Sequence, residues 1–520
     1  MHEQNLKHSP TLSLSPKNVG NRIYSQKPIE PHGLRHDAIL FEMSVRTVIE
    51  VLLNPFLARL IRSNQRHPLV LAAFFGLLAL LAACDFSGAR PRPNVLLIVL
   101  DTVRADHLST YGYSKNTTPN LTALAGEGVV YERCLSPGSW TLPSHASLFT
   151  GLYPRDHKTT CELPRVLRRK YRTIAEVLAE NGYATVGFSN NAWLNAATGL
   201  QQGFANFFDI WRERRPDGRS ADGIDEGAAT TNERIFRWLD HDTNRPFFMF
   251  VNYFEPHLPY RPPPPFDSKF VDANFDPIMV AEARGWFHPR ELGYVLKVPG
   301  MEVTDSEFEV MHSQYDGEVA YLDARLGELI EGFRERGLLD NTVVIITSDH
   351  GEHLGDHEMM DHKMTLYDAL LHVPLVIRYP PAVHQGSRVS APVQLIDIFP
   401  TILDLCGIDE DQPEDSRLLP PSPQQAPPPR LSFAEFGRPT VFLEVMLKQY
   451  PGVEYSQFDR SLVAVNDGRY KLISGSDGRS ELYDLHRDPG ERNDIASENP
   501  DVVADLTNRL TDFQAKTPMQ

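Results

Sequence analysis

The chain has 520 residues, enough to bury a large core and to hold more than one domain. Its formal net charge is −17 and 41% of its residues are hydrophobic, an ordinary globular proportion. The acidic balance argues against nucleic acid as a partner. It does not argue against an anionic substrate, because a bound cation sets the field at its own site.

Residues 1–42 are polar and unpatterned, and Met43 makes a better start for a signal. Arg59, Arg62 and Arg66 precede an uncharged apolar run, Leu69 to Cys84. That run is short of the roughly 20 residues a membrane-spanning helix needs. A positive segment, a short apolar core and small residues form a secretory pattern. Leu81-Ala82-Ala83-Cys84 resembles the bacterial lipoprotein box, which implies lipidation of Cys84 and attachment at the bacterial cell envelope. An uncleaved membrane anchor is the other reading, and both place the rest of the chain outside the cytoplasm. Residues 1–84 are set aside as an N-terminal extension and signal. Cys134, Cys161 and Cys406 show no metal-binding spacing, so no structural zinc site and no disulfide are expected.

"NVLLIVLD" (94–101) is a continuous apolar run that ends in a carboxylate, the pattern of a strand buried on both faces. "YATVGFSN" (183–190), "FFMFVNY" (247–253), "TVVIITSD" (342–349) and "VPLVIRY" (373–379) repeat it. Helical patterns lie between them, at 171–182 and 316–337, each stopped by a glycine. Strands alternating with helices predict an α/β domain around a mainly parallel sheet, over 93–410. Ligands of such sheets sit beyond the strands' carboxyl ends, where Asp101, Ser348 and Asp349 fall. The Pro-rich stretch 411–430 reads as a linker or exposed loop. Residues 431–520 read as a small α+β subdomain, with short antiparallel strands around Asp467-Gly468 and a final helix.

The chemistry-bearing residues fall in three stretches. "SDHGEHLGDHEMMDHK" (348–363) places Asp349-His350 at a strand end, suitable ligands for a divalent ion; alone, a His-rich loop is more often a solvated surface. "VLDTVRADH" and "TLPSHASLFTG" join it, with Pro256-His257, Tyr315–Asp323, Lys363 with Tyr367, and Val373–Leu375. In this order the motifs resemble the sulfatase branch of the alkaline phosphatase superfamily, over roughly residues 93–500. The resemblance implies an alkaline phosphatase-like three-layer sandwich and an ester hydrolase. Residue by residue, it implies that Asp101, Asp349, His350 and the nucleophile hold one divalent ion, with Mn, Mg or Ca suited to such hard donors. Thr102 stands where sulfatases usually have a second Asp, which leaves a ligand set like that of phosphonate monoester hydrolases.

The resemblance puts the nucleophile at Thr141, where sulfatases have a Cys or Ser that becomes formylglycine. Read without it, Thr141 is an ordinary helix N-cap ahead of Pro143. Thr is no substrate for that oxidation, and a Thr sulfate ester lacks the aldehyde-forming exit of a formylglycine hydrate. A Thr phosphate ester can be opened by in-line attack at phosphorus, so phosphoesters are favoured. His257 and Lys363 match groups that contact the ester; His145 replaces the family's Arg and its role is open. Glu352, His353 and His357 read as supporting residues, and Asn190 or Asn191 lies where the family has a further Lys. The expected substrate is a small-molecule, glycan or lipid-head-group ester. A sulfate-ester hydrolase, a phosphoryl transferase and a non-catalytic envelope lipoprotein are the alternatives.

Overall fold

Asn94–Leu100 (β1) is the keystone of an eight-stranded sheet, and every one of its residues is buried. In this computed structural model the described residues are 92–162, 165–214, 225–241, 245–284 and 288–516. Cys84 and the whole N-terminal signal lie outside them. The sheet also contains Val129–Tyr131 (β2), Ala184–Ser189 (β3), Asn206–Asp209 (β4) and Phe247–Tyr253 (β5). Thr342–Thr347 (β6), Leu375–Arg378 (β7) and Ser387–Val389 (β8) complete it. The spatial order is β8-β2-β7-β6-β1-β5-β3-β4. β1 pairs in parallel with both β5 and β6, while β7 runs antiparallel to its two neighbours.

The alternation along β1 divides the core. Leu96, Ile98 and Leu100 enter one apolar cluster, and Val95, Leu97 and Val99 enter another on the opposite face. Helices cover both faces, so the fold is the expected three-layer α/β sandwich. Thr141–Thr150 (α1) lies on the Val95 face, while Ala228–Leu239 (α2) and Asp305–Glu335 (α3) lie on the other.

α3 starts 11 residues earlier than the periodicity of 316–337 suggests, at a capping box in which Thr304 and Glu307 bond each other's backbone N–H. It also braces the loop after β1. Tyr315 Oη donates to Thr102 O at 2.8 Å and accepts from Arg104 N at 2.9 Å. Asp316 pairs with His107 and Lys115, and Asp323 accepts the N–H groups of Asn120 and Leu121 at a helix start. Gly317 is required by contact, because a Cβ there would sit 2.7 Å from Phe266 O.

Ser432–Phe436 (β9), Leu462–Asn466 (β10), Tyr470–Gly475 (β11) and Ser480–Asp484 (β12) form an antiparallel sheet in sequence order. Thr440–Gln449 (α4) lies in the connection between β9 and β10. Gly468, at φ 101°, makes the turn between β10 and β11. Pro500–Lys516 (α5) packs Leu506, Leu510 and Phe513 on this sheet. The expected small α+β subdomain is therefore present, but 411–430 does not tether it loosely. Tyr131 Oη donates to Pro420 O, Leu419 N donates to Thr401 Oγ1, and Arg430 pairs with buried Asp397. These anchors strap the Pro-rich segment onto the α/β domain. Two ion pairs complete the join, Arg155 with Glu435 and Lys471 with Asp368, and Glu491 pairs with Lys471 from the C-terminal side.

Candidate active site

Three parallel strands, β1, β5 and β6, end side by side, and the residues just past them converge. Asp101 follows β1 and is fully buried. Its Oδ2 accepts hydrogen bonds from Asn191 Nδ2 at 2.7 Å and Asn252 Nδ2 at 3.2 Å, and its Oδ1 has no partner. Asp349 follows β6. Its Oδ1 accepts from the backbone N–H of His350 and Thr102. Its Oδ2 lies 3.3 Å from His350 Nε2 and 3.4 Å from His145 Nδ1, in neither case with hydrogen-bond geometry.

His350 Nδ1–H donates to Gly351 O at 3.0 Å. That leaves the Nε2 lone pair turned toward Asp349 and toward Thr141 Oγ1, 3.4 Å away. Burial, and then the neighbouring His362, hold His350 well below the usual imidazole range, so its ring is neutral and ligand-competent. Burial raises Asp101 above the usual carboxylate range, and burial followed by the charge of Asp101 raises Asp349 further. Two dry, mutually repelling carboxylates with unpartnered oxygens and one imidazole lone pair fit a hard divalent cation. One ligand atom from each of Asp101, Asp349 and His350 lies within 4.8 Å of the others. Thr102 contributes no side-chain oxygen to this group. It sits at φ 57° and donates its hydroxyl to Pro256 O.

Thr141 is the first residue of α1, not its cap; Trp140 holds the cap position and makes no side-chain cap bond. Thr141 Oγ1 lies 3.4 Å from Asn191 Nδ2 as well as 3.4 Å from His350 Nε2. One helical turn on, His145 Nδ1–H donates to Thr141 O at 2.9 Å. Burial pushes His145 down to about 4, so it is neutral, packed edge-on against Phe149 and Phe250. It lies beneath Thr141 and is not among the residues lining the cavity above it.

That cavity has a volume of about 690 Å³ and is lined by Thr141, Asn191, His257, His362 and Lys363 among others. His257 stacks on Phe254 with ring centroids 4.3 Å apart, and its Nδ1–H donates to Leu258 O. His362 Nδ1 lies 3.0 Å from Glu352 Oε1 and 2.7 Å from Asp361 Oδ1. Burial opposes a charge on this ring, but Asp361 and Glu352 outweigh it and hold His362 up at about 10. The trio could ligate a metal by spacing, yet here an imidazolium already bridges the two acids. Lys363 forms an ion pair with Asp361. His353 bonds Thr365, and His357 stacks on Tyr367 with centroids 3.7 Å apart.

The structure thus brings Asp101, Thr141, Asp349, His350, His257 and Lys363 to one sheet end. The motifs did not single out Asn252, nor distinguish Asn191 from Asn190. An Asn at the end of a β-rich run, as in "FFMFVNY", is the one signal that points to Asn252. Cys134, Cys161 and Cys406 are unpaired. Among the described residues no helix is long and apolar enough to cross a membrane.

The sulfatase family model matches residues 93–408, and the model for the C-terminal part of N-sulphoglucosamine sulphohydrolase matches residues 355–516. Arylsulfatase K of Bos taurus is 26% identical over 457 residues, spanning 80% of this chain and 81% of its own. The multifunctional alkaline phosphatase superfamily protein PehA of Trinickia caryophylli is 26% identical over 481 residues, spanning 78% of this chain and 92% of its own. Among solved structures, the phosphonate monoester hydrolase of Agrobacterium radiobacter superposes with a TM-score of 0.66 at 26% identity, covering 82% of this chain and 96% of that one. A protein solved in complex with its substrate D-glucosamine-2-N,6-O-disulfate superposes with a TM-score of 0.64 at 21% identity, covering 82% of this chain and 98% of its own, a likeness of fold. With one family match running over more than half its length, the chain belongs to the sulfatase family of ester hydrolases.

Proposed function

We propose that the protein hydrolyses phosphoesters, with Thr141 as covalent nucleophile. The observation that carries this is the position of Thr141 Oγ1, 3.4 Å from the His350 lone pair beside the unpartnered oxygens of Asp101 and Asp349. Asp101, Asp349, His350 and Thr141 would hold the divalent cation, which supplies Lewis acidity that favours the Thr141 alkoxide and charge on the ester oxygens.

Thr141 Oγ1 gives up its proton to solvent and attacks phosphorus. The new Oγ1–P bond forms as the P–O bond to the organic group breaks. His257, protonated, gives its proton to the departing oxygen. Lys363 balances charge on the equatorial oxygens, and Asn191 donates toward the nucleophile's oxygen. In the second half, His257 takes a proton from water as that water attacks phosphorus; the Oγ1–P bond breaks, Thr141 Oγ1 takes a proton back from solvent, and phosphate leaves, or a phosphomonoester when the substrate is a diester. His145, beneath the helix start, keeps Thr141 O and the first turn in place.

The formylglycine route is closed to a secondary alcohol, which weighs against sulfate. The relatives named as arylsulfatases keep sulfate esters as the second reading. Purified protein with Mn²⁺, Mg²⁺ or Ca²⁺ separates the two on matched aryl phosphodiesters and aryl sulfates. Thr141→Ala should lower phosphodiester turnover roughly a thousandfold or more, with Thr141→Ser retaining most of it. Turnover confined to sulfates, or a Thr141→Ala variant as active as wild type, would overturn the reading. We also propose, from the sequence alone, that Cys84 carries a lipid. Mass spectrometry of the mature N-terminus decides it.

A further inference from the structure

We infer that the cavity over Thr141 is built for an aromatic organic group, so that the substrate is an aryl-bearing phosphoester and not a phosphorylated glycan. The inference rests on the assignment of Thr141, His257 and Lys363 as the ester-binding groups. Beyond those groups the walls are mainly aromatic and apolar, with Trp140, Trp193, Phe254, Phe436, Phe442 and Val445, and their charged and polar members include Glu162, Arg165, Arg214, Glu291 and Gln449.

These side chains are fixed to the reacting residues. Trp140 immediately precedes Thr141. Trp193 N donates to Asn191 Oδ1 at 2.9 Å, so the turn that aims the Asn191 amide also places the Trp193 indole. The two indoles meet edge to face with centroids 5.1 Å apart. The Arg165 guanidinium lies against both, 5.4 Å from one ring and 5.3 Å from the other. Phe254 stacks on His257 and carries Arg214 on its ring at 4.4 Å. The catalytic body forms only part of the cavity wall. The α4 helix, in the C-terminal part, supplies Phe442, whose ring lies 5.1 Å from Lys363 Nζ.

Charge and polarity argue for the same occupant. Arg165 and Arg214 line the walls together with Glu162 and Glu291, so the positive charge that suits an anionic ester is local to the two guanidinium groups and Lys363. A sugar would set its hydroxyl groups against Phe436, Phe442 and Val445, which offer them no hydrogen bond. A flat ring instead finds aromatic edges and faces. Two of the wall residues, Trp193 and Val445, are 37% and 47% exposed, apolar surface that such an occupant would cover.

The test is a binding measurement that does not depend on turnover. Thr141→Ala protein loaded with Mn²⁺ is titrated by calorimetry with phenylphosphonate, methylphosphonate, octylphosphonate and glucose 6-phosphate. Phenylphosphonate should bind at least about tenfold tighter than each of the others. Phe442→Ala and Trp193→Ala, each added to that protein, should lower phenylphosphonate affinity and leave methylphosphonate affinity unchanged. Equal binding of phenyl and methyl compounds overturns the inference, as does tighter binding of octylphosphonate or glucose 6-phosphate, or indifference to both wall substitutions. Failure of the nucleophile assignment shows up separately, as undiminished turnover by Thr141→Ala.

Discussion

Asn191 Nδ2 donates to Asp101 Oδ2 at 2.7 Å and lies 3.4 Å from Thr141 Oγ1. One amide therefore orients a carboxylate of the cation site and touches the hydroxyl that reacts. Asn252 offers Asp101 only a longer bond, 3.2 Å, and also accepts the Asn191 N–H. Asn191→Ala should lower kcat/KM by roughly 10- to 100-fold with little change in fold. Asn191→Asp should be worse than Ala, because it sets a second carboxylate against Asp101. Steady-state kinetics with circular dichroism checks both, and full activity in either variant would remove Asn191 from the site.

Much of this arrangement was legible in the sequence, for physical reasons. A strand buried on both faces reads as an unbroken apolar run, so β1, β5 and β6 stood out, as did Asp101 and Asp349 at the ends of β1 and β6, though Asn252 near the end of β5 did not. Parallel pairing then put Asp101 and Asp349 together. What stayed hidden depends on contacts distant in sequence. The antiparallel direction of β7 leaves no mark on "VPLVIRY". The first 11 residues of α3 carry mixed polarity, since that part packs less uniformly. The strap 411–430 is held by Asp397 and Thr401, 20 and 18 residues from the N–H groups they accept, and by the distant Tyr131, and no local periodicity announces these bonds. The role of α4 in the cavity likewise depends on how the C-terminal sheet docks.

Asp101 and Asp349 are each raised above the usual carboxylate range, first by burial and, for Asp349, next by the charge of Asp101. In the absence of a cation the folded protein therefore holds protons that the unfolded chain releases above about pH 4. Stability of the stripped protein falls as pH rises, whereas a bound cation neutralises the pair. Chelation should thus lower the melting temperature more at pH 8 than at pH 5.5, and abolish turnover at both. Differential scanning fluorimetry with and without chelator measures this. An equal drop at the two pH values would count against a cation held by this pair.

Lys471 is 1% exposed, with Asp368 and Glu491 each 2.7 Å from its Nζ. Asp368 belongs to the catalytic body just after Tyr367, and Lys471 lies in β11, so the triad joins the two parts. Lys471→Met leaves Glu491 buried without its cation and Asp368 with only Arg133, 3.4 Å away, and should cost about 3–5 kcal/mol. Adding Asp368→Asn and Glu491→Gln should restore most of it, because the uncompensated charge is removed. Urea unfolding of the single and triple variants checks the sign, and an equally unstable triple variant would show that packing, not charge, is what Lys471 supplies.

Glu255 precedes Pro256-His257, and its Oε1 accepts the N–H groups of Glu226 and Ala228 at the start of α2, while Oε2 has no partner. Burial, then the charge of Asp225, lifts its carboxyl from 4.5 to about 7. Below about pH 4.5 the group is protonated in both folded and unfolded chains and has no effect on the balance. Between there and about 7 the folded protein keeps a proton that the unfolded chain has lost, so each step up in pH weakens the fold; above about 7 the penalty is full and constant. Glu255→Gln keeps an oxygen for the two N–H groups and places an amide donor where Oε2 faces acidic neighbours. The variant should therefore be more stable than wild type by roughly 2–4 kcal/mol at pH 8, with the gain vanishing near pH 4.5. Thermal unfolding across that range tests it. A gain that does not shrink on acidification would mean that hydrogen bonding, and not the buried charge, sets the difference.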